Sequence, residues 1–295
     1  SPGRAPPKGC AASMTKPYAE VIGDPIVQSK SPVIHGFWLG LLGIDAEYHR
    51  CHVTADGLAG YLAERRGDAS WRGCNVTMPH KQAIMPLLDR IDPEAVRIGA
   101  VNTVVREADG SLTGYNTDAP GFLEPVRPLL GVEPYRFAYV IGTGGAARAI
   151  IDALFHAEFM IWSISRNPAK AKAEFGRYLG DDPEFLIDIA ELKPGPLRPA
   201  DPEVFSLIIN ATPLGMTGHA PLDLPWGGFL GNVTVYDIVT SPADTALLQQ
   251  ARAQGLQTID GLAMLIGQAA VAFEKFFGAP APRDRDAELR RAMTQ

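Results

Sequence analysis

Val140-Ile141-Gly142-Thr143-Gly144-Gly145-Ala146-Ala147-Arg148-Ala149 is the stretch that decides the fold of this chain. An apolar run feeds directly into glycines and then into an alanine-rich, helix-forming segment. A strand that turns on glycine into a helix presents unpaired backbone N–H groups at the positive end of the helix dipole, and a dinucleotide pyrophosphate binds there. A bare Gly-x-Gly also fits a tight turn, but the strand before it and the helix after it favour a dinucleotide, cradled by Gly142, Gly144, Gly145 and Ala146. About twenty residues further on, an acidic side chain would meet a ribose without a 2′-phosphate. The chain has Ser165-Arg166-Asn167-Pro168 there, with no Asp or Glu from Ile161 to Lys172. A guanidinium pairs well with phosphate and poorly with a bare diol, so Arg166 points to NADP rather than NAD.

Working outward from the loop, short β-branched runs alternate with stretches of helical period, the pattern of an α/β protein with a mostly parallel sheet. Upstream, strands are expected ending at Val21-Ile22, over Glu47 to Val53 and over Trp71 to Val76. A helix is expected to open with Ser31 as its cap and Pro32 at its first position and to close at Gly43, and others to cover Gly57 to Arg66 and Pro79 to Leu88. Val101 to Arg106 and Ser111 to Tyr115 flank Asp109-Gly110, a strong hairpin turn. A linking helix over Ala119 to Leu130 then leads into a second α/β unit with strands at Tyr135 to Ile141, Phe159 to Ile164, Ser206 to Ile209 and Val233 to Ile238. Helices follow over Leu247 to Gln254 and Leu262 to Phe277, the latter long enough to return to the first domain, and over Asp284 to Met293. The expected organisation is a leader over 1–17, an N-terminal α/β substrate domain over 18–117, a Rossmann-like dinucleotide-binding domain over 118–258, and C-terminal helices over 259–295 packing back on the substrate domain.

At 295 residues the chain is long enough for two cores, since single cores stop growing near about 250–300 residues. A hydrophobic fraction of 46% with 20% charged residues is ordinary for a globular protein, and the sequence holds no uncharged apolar run long enough to span a bilayer. A net charge of -6 without long basic runs argues against a nucleic-acid partner, which leaves small molecules. Cys10, Cys51 and Cys74 are odd in number and lack Cys-x-x-Cys spacing, so no disulfide framework or thiolate zinc site is indicated and a reducing cytoplasm is expected. The Pro-, Gly- and Ala-rich segment before Met14 lacks the apolar core of a secretory signal and is read as a disordered leader. No metal is expected, because His49 and Cys51 would share one face of a strand while His52 faces the other.

Two polar motifs carry the candidate chemistry: Gly73-Cys74-Asn75-Val76-Thr77-Met78-Pro79-His80-Lys81 and Gly114-Tyr115-Asn116-Thr117-Asp118-Ala119-Pro120-Gly121. By residue type alone, Lys81 is an ordinary solvated lysine. Placed beside Asp118, each would favour the charged form of the other, which suits an amine that stabilises or protonates a carbonyl oxygen during reduction. Ser29 and Ser31 bracket a helix start, where hydroxyls and unpaired amides make a seat for a carboxylate; the plainer reading of Ser31 is a cap. His35, one turn further on, is expected to be a packing or surface residue.

At these residues the chain resembles the shikimate dehydrogenase family, from about Tyr18 to Gly278. The resemblance rests on Val21-Ile22-Gly23-Asp24-Pro25-Ile26, Ser29-Lys30-Ser31-Pro32 with His35, the Lys81 and Asp118 motifs, Gly99-Ala100-Val101-Asn102-Thr103, Gly142 to Ala149, Asn210-Ala211-Thr212-Pro213-Leu214-Gly215-Met216 and Gly261 to Gln268. It implies NADP-dependent, reversible reduction of 3-dehydroshikimate to shikimate in aromatic amino-acid biosynthesis, by a monomer or homodimer. It further implies Lys81 and Asp118 as the catalytic pair and Ser29 and Ser31 on the substrate carboxylate. Asn75, Thr77, Asn102, Asp118 and Gln268 would take the ring hydroxyls, and Asn210, Thr212, Met216, Ile238, Gly261 and Met264 would line the cofactor side. The chain departs from the family pattern at Asp237-Ile238-Val239-Thr240, where many members place a substrate-contacting tyrosine; at Ser165-Arg166-Asn167, which keeps the arginine but alters the usual order; and at Phe277, where tryptophan is common. Thr240 leaves quinate or dual quinate/shikimate activity open, and a non-catalytic NADP-binding regulatory protein is the alternative of a different class.

Overall fold

Hydrophobic runs and glycine turns lay out two sheets in a computed structural model, which describes residues 16–131, 135–180, 182–192, 204–225 and 232–294. The leader reading before Met14 falls on residues 1–15 and lies outside the described residues. The chain divides into a first unit of residues 1–117 with 268–295 and a second of residues 118–267.

The first unit contains β1 (Tyr18–Gly23), α1 (Ser31–Leu42), β2 (Glu47–His52), α2 (Leu58–Arg66), β3 (Trp71–Val76), α3 (His80–Ala83), β4 (Arg90–Ile91), α4 (Pro93–Ile98), β5 (Thr103–Arg106) and β6 (Leu112–Tyr115). Its sheet has the order β2-β1-β3-β5-β6-β4. The first three strands are mutually parallel, β5 runs antiparallel to both β3 and β6, and β4 pairs parallel with β6. The period-2 rule sends Tyr18, Glu20 and Ile22 to one face of β1, where Tyr61 and Leu62 of α2 join the core with Trp71, Cys74 and Val76 of β3. Glu20 would be intolerable there alone. Arg65 donates to it through Nε at 2.8 Å, and the Tyr61 hydroxyl donates at 2.8 Å, so the buried carboxylate is paired and hydrogen-bonded.

The second unit contains α5 (Asp118–Leu123), β7 (Tyr135–Ile141), α6 (Gly145–His156), β8 (Met160–Ser165), α7 (Pro168–Phe175), β9 (Leu186–Asp188), β10 (Val204–Asn210), β11 (Asn232–Asp237), α8 (Ala246–Ala253) and β12 (Gln257–Ile259). Its six strands are all parallel, in the order β12-β11-β10-β7-β8-β9. Counted along the chain this is the 3-2-1-4-5-6 order of doubly wound dinucleotide-binding sheets, whose ligands lie beyond the strand ends where the order reverses. Here the reversal lies between β7 and β10. The remaining helices are α9 (Gly261–Phe277), which carries the division between the units after Gly267, and α10 (Asp286–Thr294). Among the described residues no helix is long and apolar enough to cross a membrane, and no group of His, Cys, Asp or Glu could hold a metal.

Several local expectations need correction. Ser31 is inside α1, not its cap; Lys30 occupies the cap position in helical conformation and makes no side-chain cap bond. The helix expected over Pro79 to Leu88 stops at Ala83 and tightens into a 3-10 turn over Met85–Leu87, because Pro86 has no N–H to continue it. Pro125 and Pro128 likewise end the linking helix at Leu123. Cys74 is a buried free thiol.

Candidate active site

The strand ends of the first unit gather a run of polar side chains, hydrogen-bonded in two groups. Ser29 Oγ donates to Ser31 Oγ at 3.2 Å, at the start of α1. The Tyr48 hydroxyl, on β2, donates to Asn75 Oδ1 at 2.6 Å, on β3. Asn75 Nδ2 donates to Thr103 Oγ1 at 3.1 Å, and Thr103 Oγ1 donates to Asn102 Oδ1 at 3.0 Å. Asn102 Oδ1 also accepts from the Thr117 backbone N–H at 2.7 Å, and the Thr117 hydroxyl reaches Gln268 Oε1 at 3.4 Å. The β3–β5–β6 antiparallel arrangement is what brings these residues together, since Asn75 pairs with Thr103 and Thr103 with Tyr115 across the ladders. All are buried apart from Ser29, which is half-buried. Burial makes such a network costly unless every member is satisfied, so the bonds hold the group rigid.

Of the residues expected from sequence to bind substrate, Ser29, Ser31, Asn75, Asn102 and Gln268 belong to this run. Thr77 lies beside it: its N–H donates to Ile22 O at 2.9 Å, and its methyl occupies the space a side chain at Gly23 would need. Lys81 is half-buried on α3, and its carbonyl accepts from Val101 N–H at 2.8 Å, which fixes the lysine backbone next to Asn102. Its helix is held from below by His80, whose ring bonds Val53 O at 2.6 Å. Asp118 is buried and opens α5 directly after Thr117.

In the second unit the glycine loop follows β7 at the reversal of strand order. Gly142 has φ +112°, and a Cβ there would stand 2.8 Å from Thr212 Cγ2 and 2.9 Å from Ala211 O, so only glycine lets the two loops approach. Gly144 caps α6 without a side-chain bond, no atom lies within 4 Å of where its Cβ would be, and Gly144 and Gly145 are exposed. The first amides of a 12-residue helix are thus open at its N-terminus, with Ala146 half-buried behind them. Arg166 is exposed just past β8, where Asn167 caps α7 by accepting from Lys170 N–H at 2.9 Å. Gly261 has no room for a side chain, since a Cβ would stand 2.3 Å from Val239 O and 2.5 Å from Ile238 O. Met264 is buried one turn into α9, and Met216 is half-buried.

Sequence reading missed the residue that organises this side. Asp237, fully buried at the end of β11, accepts from Asn210 Nδ2 at 2.9 Å, Val239 N–H at 3.0 Å and the Thr245 hydroxyl at 2.7 Å. Asn210 Oδ1 in turn accepts from the Thr212 N–H at 3.0 Å and hydroxyl at 2.7 Å, and Thr245 caps α8. One carboxylate therefore ties together the loops bearing Asn210, Thr212 and Ile238. Burial pushes its pKa up, and the bonds from Thr245, Val239 and Asn210 pull it back. The available signal was an acid ending an apolar strand, a place where only a hydrogen-bonded carboxylate survives. Tyr48 was missed as well; nothing in its polar strand Glu47-Tyr48-His49-Arg50-Cys51-His52 singles it out.

Comparisons with known proteins agree with this geometry. The family model for the shikimate dehydrogenase substrate binding domain matches residues 21–104, and that for the shikimate 5'-dehydrogenase C-terminal domain matches residues 261–288. A shikimate dehydrogenase (NADP(+)) from Sphingopyxis alaskensis is 53% identical over 93% of this chain and 96% of its own. Among solved structures, the shikimate 5-dehydrogenase of Thermus thermophilus in complex with NADP(H) and shikimate is similar with a TM-score of 0.76 at 35% identity, covering 94% of this chain and 99% of that one. A ligand-free 5-ketofructose reductase of a Gluconobacter strain is also similar, with a TM-score of 0.78 at 28% identity over 94% of this chain and 98% of that one. With a relative this similar over nearly its whole length, the chain belongs to the shikimate dehydrogenase family.

Proposed function

We propose that this protein is an NADP-dependent shikimate dehydrogenase that interconverts 3-dehydroshikimate and shikimate. The observation that carries the reading is the run from Ser29 to Gln268: hydroxyls at a helix start, beside a hydrogen-bonded group of buried amides and hydroxyls, suit a small ring bearing one carboxylate and several hydroxyls. Ser29 and Ser31 take the carboxylate. Asn75, Thr77, Asn102, Asp118 and Gln268 take the ring hydroxyls.

The second unit's residues suit NADP, because the open α6 amides and the exposed cation at Arg166 are donors matched to phosphates. Gly142, Gly144, Gly145, Ala146 and Arg166 would hold it, with Asn210, Thr212, Met216 and Ile238 lining the cofactor side and Gly261 and Met264 near the nicotinamide. When bound, NADP supplies the two-electron redox chemistry. Lys81 delivers a proton to the ketone oxygen during reduction and removes it from the alcohol during oxidation, with Asp118 as the other member of the proposed catalytic pair. The proposed setting is the cytoplasm, with a small-molecule substrate and a monomeric or homodimeric enzyme. Half-buried Thr240 favours a second reading, dual activity on quinate, since a tyrosine contact to the substrate would be absent.

The test is an absorbance assay at 340 nm of shikimate and quinate, each with NADP and NAD, on the wild type and Lys81→Ala. Turnover is expected with shikimate and NADP, and its loss in Lys81→Ala with cofactor binding retained. No turnover of shikimate by the wild type rejects the function, and an unchanged kcat in Lys81→Ala rejects the lysine's role.

A further inference from the structure

Between the serine pair at α1 and the amides at β3, the polar run passes through one aromatic side chain, Tyr48. Its hydroxyl donates to Asn75 Oδ1 at 2.6 Å, and from the other side the Ser31 hydroxyl interacts with it. Burial pushes the phenol's pKa well above its ordinary value, so it remains a proton donor. That matters for Asn75, because an amide's oxygen and nitrogen ends are nearly the same shape and only its partners decide which way it faces. With the phenol holding Oδ1, Nδ2 is left to donate to Thr103 Oγ1.

The ring of Tyr48 is itself fixed. His35 stacks on it with centroids 4.0 Å apart and planes 1° apart. His35 is fully buried, neither ring nitrogen has a hydrogen-bond partner among the described residues, and burial lowers its pKa to about 3, so it is a neutral, flat packing surface. It lies four residues after Ser31, on the same side of α1. Phe273 and Phe276 of α9 pack on His35 at 5.8 and 6.1 Å, and Phe276 on Tyr48 at 6.4 Å. The stack thus joins α1, β2 and α9, the elements that carry Ser31, Tyr48 and Gln268, and the Tyr48 hydroxyl extends it to Asn75.

We propose that Tyr48 is a positioning residue for the substrate: held by His35, its hydroxyl sets the orientation of Asn75 and Ser31 before the substrate arrives. The proposal deepens the shikimate dehydrogenase reading and rests on it. Tyr48→Phe isolates the hydroxyl, since the ring and its stack remain. Leaving Asn75 Oδ1 buried without its donor should raise the KM for shikimate about tenfold while leaving the KM for NADP and kcat within about twofold. His35→Ala, which keeps the hydroxyl but removes its platform, should move the shikimate KM in the same direction.

Wild-type kinetics come first: absence of shikimate turnover there sinks the functional reading and this inference with it. If the wild type is active, an unchanged shikimate KM in Tyr48→Phe overturns the inference alone. A parallel loss of both KM values with a fall in melting temperature also overturns it, because Tyr48 would then be a structural residue. So would a fall in kcat at constant KM, which would tie the hydroxyl to the chemical step.

Discussion

Replacing Asp237 tests the idea that one buried carboxylate organises the cofactor-side loops. In Asp237→Ala the Val239 N–H and the Thr245 hydroxyl lose their acceptor, whereas Asn210 Nδ2 retains Leu214 O at 2.9 Å. Each buried donor left unpaired costs about 1–3 kcal/mol, and the partly rescued amide less, for a total of about 3–5 kcal/mol. At roughly 2–4 °C per kcal/mol for a unit of this size, the low end alone shifts the melting temperature by roughly 6–12 °C. Calorimetry reads that shift, and steady-state assays should show a raised KM for NADP. The variant Asp237→Asn keeps one acceptor oxygen and adds a pH signature. Burial raises the carboxyl above its ordinary value of 3.8, so the folded protein binds that proton more tightly than the unfolded chain. The resulting stability is fully present below pH 3.8 and is lost as pH rises through the raised value. The asparagine variant has no such step, so the wild type's advantage over it should be largest in acid and narrow toward neutrality. An Asp237→Ala protein melting within about 2 °C of wild type, with unchanged KM for NADP, would refute the reasoning.

Arg65→Ala strands Glu20 in the core and should destabilise the first unit by about 3–5 kcal/mol, read by thermal or urea unfolding; converting both residues to apolar side chains of similar size should recover most of that loss. Arg166→Ala should raise the KM for NADP about tenfold with little change for NAD, and equal effects on both cofactors would remove the arginine from 2′-phosphate recognition.

The parts of the fold legible in sequence were those where periodicity and turn chemistry agree. Asp109-Gly110 dictates its hairpin with Gly110 at φ 82°, and the apolar run into Gly142 reads as a strand entering a tight turn. Elements too short to show a period escaped: β4 has two residues and β12 three. The α4 helix was missed although its signals were present, with Asp92 accepting from Glu94 N–H, Pro93 at the first turn and Gly99 closing it at φ 74°. At the site, the family resemblance pointed to Asn75, Asn102 and Gln268, but the bonds that connect them depend on Thr103, Thr117 and Tyr48. Hydroxyl residues of this kind usually serve local roles, and only the register of β3 against β5 reveals otherwise.

Because the first unit is assembled from both ends of the polypeptide, its completion during synthesis is delayed. The sheet that bears Asn75 emerges from the ribosome early, but Gly73 is covered by Phe276, His35 by Phe273, and Thr117 by Gln268, all of which are translated after the entire second unit. The nascent chain must carry an uncapped apolar face while residues 118–267 fold in between, and that interval is its window of greatest exposure to chaperones and aggregation.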